Sequence, residues 1–453
     1  MFINEIITNK KKIYYKIIII LSFIISWASI GTSNSDLFIL TTNEDVTLKS
    51  VINFFRITLN LFFFVILFFF FFLNFSKYKE NKLSPYLAFL IPLFCFLSQI
   101  PGLFYTSNSL WNFLYILSAI NILIILNLII LNFENEEIYL IIYLTFILLS
   151  VVFFNSAIND LYKYFRDYNR LFYGAINYFL SDGGIRSSGV SRIGLILLIT
   201  YSIFFKRIFK SKILRTIPLV FFTSFIFLYE SRAIIGITFI FLIFNYLISE
   251  KYTLINLLKY LLIYFVLPAL LVISLMSKNV LNLYKCKNIQ CKKNVQEPAR
   301  IPEDILTSFK FAQERTRIFK YKKNAFGFTG RIEDWKEIIN KFDYKNNLFF
   351  GYGAQGDRYL INQTASNGLL YTFVSSGITG VTFFLILTLT SGMQLLKYLF
   401  FSRKKDLIGY FSFSIMIVFF IRSIVESSYS VFGIDLILFY MGLILMQRFK
   451  VLK

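Results

Sequence analysis

Histidine is absent from this chain of 453 residues, and cysteine, at three residues, is almost absent. Without histidine the protein cannot use histidine-based acid–base chemistry, a Ser-His-Asp triad or a histidine-ligated metal. Three cysteines alone cannot complete a structural zinc site, so we predict no metal site. Cys286 and Cys291 lie in one polar segment, where a disulfide and two free thiols are both open, whereas Cys95 lies in an apolar run and is expected in the core.

Apolar residues, in contrast, make up 57% of the chain, and 20% of the residues are aromatic. Continuous apolar runs of about 17–25 residues, the length that crosses a bilayer as a helix, recur from end to end. Their continuity distinguishes them from the alternating strands of a membrane β-barrel. We therefore predict an all-α polytopic membrane protein with about twelve transmembrane helices. The predicted spans are residues 13–30, 51–75, 84–101, 110–132, 137–155, 190–206, 215–230, 233–249, 256–276, 368–398, 407–424 and 432–447.

Basic residues are concentrated in the short segments between these predicted spans. Lys10-Lys11-Lys12 precedes span 1, the segment 206–215 separates spans 6 and 7, and Arg403-Lys404-Lys405 follows span 10. The positive-inside rule places these segments and both termini in the cytoplasm. Much of the net charge of +22 is explained in this way, so the charge gives no support to nucleic-acid binding, and the lipid bilayer is the first expected partner.

This topology divides the chain into three parts. Residues 1–276 hold spans 1–9 together with an outer loop at 156–189. Residues 277–367 form a large outer loop, and residues 368–453 hold spans 10–12. The large loop is basic, which the positive-inside rule allows because long loops cross the membrane largely regardless of charge.

Several charged residues are predicted at membrane depth, near the outer ends of the spans. Arg192 lies 14 residues, or about 21 Å of helix, before Lys206, which places it within the outer half of a hydrocarbon core ~30 Å thick. Asp435 lies 13 residues before Arg448, and the same reasoning predicts that it is buried. Charges at this depth are costly and usually face the protein interior or a wet cavity.

Arginine predominates among the charged residues at or near this depth. Its side chain stays charged and forks onto phosphate oxygens, so a cluster favours binding of a diphosphate attached to a lipid. The arginines concerned are Arg186, Arg192, Arg232 and Arg422. Structural pairing, for example of Arg422 with Asp435 or Glu426, is the alternative interpretation.

A polar, glycine-rich stretch at 326–380 interrupts the apolar sequence. Residues 351–356 match the dinucleotide pattern GxGxxG, but the predicted outer side of the membrane has no nucleotide pool, so a tight turn is the simpler interpretation. Residues from Gly330 to Glu337 predict the start of an amphipathic helix with Trp335 on its apolar side.

The order of short motifs in this chain resembles that of the O-antigen polymerase and ligase superfamily of bacterial envelope glycosyltransferases. The motifs are Arg186-Ser187-Ser188-Gly189, Ser231-Arg232-Ala233, Gly330-Arg331 with Trp335 and Gly351-x-Gly353, Asn367 with Gly377-Ile378-x-Gly380, and Arg422 with Glu426. The resemblance covers roughly 180–440 and implies a fold similar to the GT-C membrane glycosyltransferases, with a large periplasmic loop between spans 9 and 10. One position departs from it. The ligases of this superfamily usually carry a histidine before the asparagine, and this chain has Ser366 there, which favours a polymerase.

The resemblance implies an enzyme of the bacterial inner membrane that polymerises repeat units linked to undecaprenyl diphosphate, by inverting glycosyl transfer at the periplasmic face. It implies no metal and no cofactor, and a chain-length regulator protein as a candidate partner. The catalytic residues it implies are Arg186, Arg232, Arg331, Glu426 and Asn367, and the residues implied in substrate binding are Arg192, Arg422, Trp335, Gly351 and Gly353. The arginines would stabilise the leaving diphosphate electrostatically. Candidates for a general base are Glu230, Glu426, Asp357 and Asp435.

Two other functions stay open at this point. A ligase would transfer finished polysaccharide to lipid A core and would need a substitute for the missing histidine. A flippase or transporter would carry out no chemistry. Transporters usually show paired halves or broken, repeated spans, and neither is evident in the sequence, so the single large outer loop favours an enzyme.

Overall fold

The computed structural model describes residues 2–29, 58, 61–80, 83–105, 109–166, 187–205, 211–229, 231–249, 253–274, 329–361, 364–401 and 406–448. Within these ranges the chain is almost entirely helical and contains no strand. The α-helices are α1 (Phe2–Ser29), α2 (Phe64–Leu73), α3 (Lys77–Glu80), α4 (Ile91–Leu97), α5 (Ser109–Asn132), α6 (Asn135–Arg166), α7 (Ser187–Thr200), α8 (Lys212–Leu228), α9 (Arg232–Ser249), α10 (Leu254–Leu261), α11 (Thr329–Lys341), α12 (Gly356–Ile361), α13 (Gly368–Phe401), α14 (Leu407–Val425) and α15 (Ile434–Arg448). Short π-helical segments at Tyr86–Leu90, Tyr201–Phe205 and Leu262–Val266, and 3₁₀ segments at Pro101–Tyr105 and Ser428–Ser430, extend or join them.

Six helices are long and apolar enough to cross a membrane. They are Tyr86–Tyr105, Asn112–Asn132, Asn135–Ile158, Leu254–Ser274, Gly368–Phe400 and Leu407–Val425. Each coincides with a predicted span, so the prediction of an all-α chain with membrane-spanning helices is confirmed. The remaining six predicted spans coincide with shorter helices or helix portions, so the total of twelve stays a prediction.

The chain separates into two compact units, which differ in bounds from the predicted topological parts. The terminal unit comprises Met1–Leu144 and Gly330–Lys453, and the central unit comprises Thr145–Thr329. The second part of the predicted outer loop, from Gly330 on, therefore belongs to the terminal unit. The assignment of the loops to sides of the membrane stays a prediction.

Helix α15 lies at the centre of the terminal unit. Its residues from Ile434 to Gln447 are all buried, and it packs against α5 and α14. Helix α13 packs against α14 on one side and α4 on another. Above these helices, α11, α12 and the start of α13 share an apolar cluster consisting of Ile338, Phe342, Tyr352, Ile361, Ala365, Tyr371 and Val374. This cluster holds the polar stretch of the sequence against the helices.

The central unit is built from α7, α8, α9 and α10, with the second part of α6. Its interior is rich in phenylalanine, and the Phe153 ring contacts the rings of Phe221, Phe222 and Phe225. Helices α8 and α9 are joined by a turn of only a few residues after Leu228, as the predicted tight turn before Arg232 requires. Dispersion and aromatic contacts, rather than polar groups, therefore hold this unit together.

Helix α13 is broken, contrary to the expectation that the spans are continuous. Gly377 has φ 61° and ψ −156°, a backbone conformation that glycine adopts without steric cost. The break leaves carbonyl and amide groups without partners in the helix, and residues 348–353 supply them. Tyr352 N and Gly353 N donate to Val374 O and Ser375 O at 2.8 and 2.9 Å, and Ile378 N and Thr379 N donate to Leu348 O and Phe349 O at 2.9 and 3.3 Å. The interruption thus costs few hydrogen bonds, which makes it tolerable at membrane depth.

Candidate functional site

Asn367 lies immediately before α13 and connects it to the far end of α14. Its Oδ1 accepts a hydrogen bond from Leu370 N at 2.9 Å, so the side chain caps the first turn of α13. Its Nδ2 donates to Ile424 O at 2.8 Å, in the last turn of α14. Both ends of the amide are therefore engaged, and the side chain fixes the position of two helix ends relative to each other.

Arg331 reaches the same end of α14 from the first turn of α11. It donates through Nη1 to Val425 O and through Nη2 to Glu426 Oε1, the latter at 2.7 Å. A cation here is favoured because the C-terminus of a helix carries partial negative charge. The side chains of Arg331 and Glu426 keep 30% and 24% of their surface exposed, so a ligand can still reach both groups. Arg331, Glu426 and Asn367, all predicted site residues, therefore meet at one helix end.

Trp335, one helical turn after Arg331, is linked to a buried carboxylate. Its indole Nε1 donates to Ala365 O at 2.6 Å, and Ala365 N donates to Asp357 Oδ2 at 2.7 Å. Asp357 Oδ1 accepts from Arg358 N at 2.9 Å. Burial raises the pKa of Asp357 above its ordinary value, although these amide hydrogen bonds oppose the shift. Asp357 thus holds the turn at residues 364–366, which leads directly into Asn367.

The histidine position of the resembled ligases lies in this turn. Ser366 occupies it with φ 48°, a left-handed conformation that is uncommon for serine. The Ser366 hydroxyl lies 3.4 Å from both the hydroxyl and the carbonyl oxygen of Thr364. The serine therefore contributes hydroxyl chemistry within the turn and supplies no base.

Arg422 pairs with Asp435, the structural alternative that the sequence left open. Its Nη1 donates to Asp435 Oδ2, and the residues are only 5% and 3% exposed. The burial predicted for Asp435 is confirmed. In this arrangement the Arg422 charge is directed at a carboxylate inside the protein, and not at Glu426, which binds Arg331 instead.

Gly351 and Gly353 belong to the backbone junction at the break in α13. Gly351 has φ 63°, and an added Cβ there would lie 2.6 Å from Ser376 N. On the other side, a Cβ on Gly102 would lie 2.8 Å from both Gly351 O and Phe350 O. The tight turn predicted for this motif is confirmed, and it is formed by close backbone packing rather than by a phosphate.

The remaining predicted site residues lie in or near the central unit. Arg192 is half-buried in α7, and Arg232 begins α9, with its side chain outside the described residues. Arg186 and the base candidate Glu230 also lie outside the described residues, as do Cys286 and Cys291. Cys95 is buried, as expected. The terminal unit thus holds the part of the predicted site whose geometry is defined.

Two contributors to this geometry were not predicted from the sequence. Gly102 packs on the junction, and the Pro101-Gly102 pair at the end of an apolar run was the available signal. The backbone contacts of Asp357 have no local signal, because Ala365 lies eight residues further along the chain.

Within the described ranges, no group of three or more Cys, Asp or Glu side chains is placed to hold a metal ion. No model of a known protein family matches the chain, and no curated protein sequence matches it.

Proposed function

We propose that this protein is a membrane glycosyltransferase that polymerises oligosaccharide repeat units carried on undecaprenyl diphosphate. The product would be O-antigen or a related surface polysaccharide, made at the periplasmic face of the bacterial inner membrane. Support comes from the ordered motifs that resemble the O-antigen polymerase and ligase superfamily and from the six helices that can embed the chain in a bilayer.

One observation carries the proposal furthest. Arg331 and Asn367, separated by 36 residues of chain, both bind the last turn of α14, and Glu426 at its end pairs with Arg331. A cation, a carboxylate and an amide thereby lie together at the edge of a membrane-embedded helix. These are the groups that a transfer from a lipid diphosphate to a sugar hydroxyl requires.

In the proposed reaction, the acceptor hydroxyl oxygen attacks the anomeric carbon of the donor sugar from the face opposite the diphosphate. The bond from that carbon to the diphosphate oxygen breaks, and the bonding electrons leave with the diphosphate. Glu426 is the described carboxylate best exposed to take the hydroxyl proton, because Asp357 and Asp435 are buried. Arg331 would stabilise the leaving charge, and the reaction as proposed uses no metal or other cofactor. The roles of Arg186, Arg192 and Arg232 stay predictions from the sequence.

Deletion of the gene in a strain that makes the polysaccharide tests the function directly. A polymerase deletion leaves a single repeat unit attached to lipid A core and no longer chain. Loss of every attached repeat unit would contradict the proposal and would instead support the ligase or the flippase.

A substitution at Arg331 tests the site. Arg331→Lys keeps the charge but cannot bind Val425 O and Glu426 together with one planar fork, so we expect polymer length to fall sharply. Lys341→Met is the matched control, because it removes the exposed ion pair between Lys341 and Glu337 on the same helix. Normal chain length in both variants, with normal amounts of protein in the membrane, would refute the role given to Arg331.

The transporter is retained as the second candidate because of the break in α13. Broken helices are common at transporter binding sites, where the exposed backbone groups bind the substrate. Here residues 348–353 already occupy the amides and carbonyls beside Gly377, which leaves fewer of them for a substrate. The deletion experiment above distinguishes the two functions.

A further inference from the structure

Four aromatic side chains next to the break in α13 are exposed. Phe104 and Tyr105 are 87% and 51% exposed at the end of the span Tyr86–Tyr105, and Phe349 and Phe350 are 61% and 47% exposed beside Gly377. We call these four residues the aromatic edge. Their backbones are in contact, since a Cβ on Gly102 would lie 2.8 Å from Phe350 O. The edge is therefore one continuous feature contributed by two distant segments.

The span that carries Phe104 and Tyr105 gives a first measure of the depth of this edge. Gly102 lies 16 residues after Tyr86, or about 24 Å at 1.5 Å per residue. Lys79 and Lys82 precede that span and belong to the basic segments predicted to lie at the opposite membrane surface. A hydrocarbon core of ~30 Å therefore ends close to Gly102.

Helix α13 gives a second, independent measure. Gly377 lies 24 residues before Phe401, or about 36 Å, and Arg403-Lys404-Lys405 follows immediately. The two helices are in register as this requires, because the rings of Phe94 and Phe383 stack at 5.2 Å on the core side of the junction. Values of about 24 and 36 Å bracket the core thickness, so the junction falls at the boundary between hydrocarbon and headgroups.

The polarity of the chain changes at the same level. Residues 343–346 form an exposed polar turn in which Asp343 accepts hydrogen bonds from Lys345 N and Asn346 N. Phe349 and Phe350 follow within one further turn. Aromatic side chains are enriched where a protein passes from acyl chains to headgroups, because their rings are stable in that mixed environment.

We propose that the aromatic edge inserts into the outer headgroup region of the bilayer and binds phospholipid there. The backbone hydrogen bonds across Gly377 hold Phe349 and Phe350 at this depth, so the segment 343–353 rests on the membrane instead of extending into the periplasm. The inference depends on the geometry of the spans and not on the proposed polymerase activity.

The proposal also fixes the height of the candidate site. Gly368 lies nine residues, or about 13 Å, beyond Gly377 along α13, and Asn367 and Arg331 lie at that end. With the edge at the headgroups, the Arg331–Glu426 pair lies above the membrane surface by about this distance at most.

Quenching of tryptophan fluorescence by brominated lipid tests the proposal on the full-length protein. Phe349→Trp and Phe350→Trp are reconstituted in phospholipid vesicles whose acyl chains carry bromine either near the headgroup or near the terminal methyl. Ile339→Trp is the matched control, because Ile339 is 47% exposed, as is Phe350, but lies on α11. The emission of the three native tryptophans, measured in the unsubstituted protein, is subtracted.

We expect bromine near the headgroup to quench the tryptophan at 349 or 350 roughly twofold more than the one at 339, and more than bromine near the methyl end does. Quenching equal to that of Ile339→Trp would overturn the proposal, including the case in which a second copy of the chain covers the edge. Stronger quenching by the deeper bromine would overturn it as well. Variants are compared only when their elution in size-exclusion chromatography equals that of the unsubstituted protein, and Tyr105→Trp replaces any variant that fails to fold.

Discussion

Breaking and then replacing the buried Arg422–Asp435 pair should separate a structural arginine from one that binds substrate. The two residues are 5% and 3% exposed, so removing either partner leaves a charge buried without compensation. Such a change costs about 3–5 kcal/mol, whereas replacing both partners by apolar residues of similar size is often neutral or stabilising. We therefore expect Arg422→Met and Asp435→Leu each to lower the apparent Tm strongly, and the double variant to recover most of the loss.

The measurement combines thermal unfolding of the purified proteins in detergent with polymer length in a strain that lacks the unsubstituted gene. Lys341→Met again serves as the control, since its exposed ion pair with Glu337 is worth at most about 1 kcal/mol. Single variants that lose less than about 1 kcal/mol would refute the reasoning from burial. A double variant of normal stability that makes no polymer would show instead that Arg422 acts on the substrate.

Two further predictions concern the segment that carries the candidate site. Gly351→Ala should destabilise the protein by about 1–3 kcal/mol from the positive φ alone, with the contact to Ser376 N in addition, whereas Gly236→Ala within α9, with no atom near the new Cβ, should be neutral or stabilising in the same thermal assay; equal behaviour of the two would refute the junction geometry. The raised folded pKa of Asp357 means that its protonated form is favoured by folding, so its contribution to stability is fully present below its ordinary pKa of 3.8 and is lost as the pH rises through the folded pKa. Asp357→Asn should remove this decline, and comparing the pH dependence of thermal inactivation in the two proteins checks it, since parallel curves would contradict the assignment.

The helices were predictable because apolar runs of this length have few alternatives. The amphipathic α11 and the tight turn between α8 and α9 were also accessible, since each depends on residues close together in the chain. The predicted membrane depth of Asp435 agrees with its burial because rise per residue converts spacing into distance. All of these are local properties.

The partners of polar groups were not predictable in the same way. Arg422 has two acidic residues within reach in sequence terms, and only the packing of α14 on α15 selects Asp435 over Glu426. The break at Gly377 was missed because its hydrogen-bond partners, at 348–353, precede it by about 25 residues. The motif Gly377-Ile378-x-Gly380 was visible, but its physical reason requires the second segment.

Asn367 illustrates the same limit at the candidate site. The resemblance selected the residue, and the structure adds that it caps α13 while binding Ile424 O. A variant at this position would therefore affect helix geometry together with any chemistry. For this reason the tests above concentrate on Arg331, which retains exposed surface.

The division of the terminal unit between the two ends of the chain has a consequence for biosynthesis. Its first part ends at Leu144 and its second begins at Gly330, so 186 residues separate the two parts. At about 5–20 residues per second, a ribosome needs roughly ten to forty seconds to make them. During that interval the faces of α4 and α5 that later contact α13 and α15 are lined only by lipid or by a membrane chaperone. Asp435 enters the bilayer last and needs Arg422 already in place, so completion of the core coincides with the end of translation.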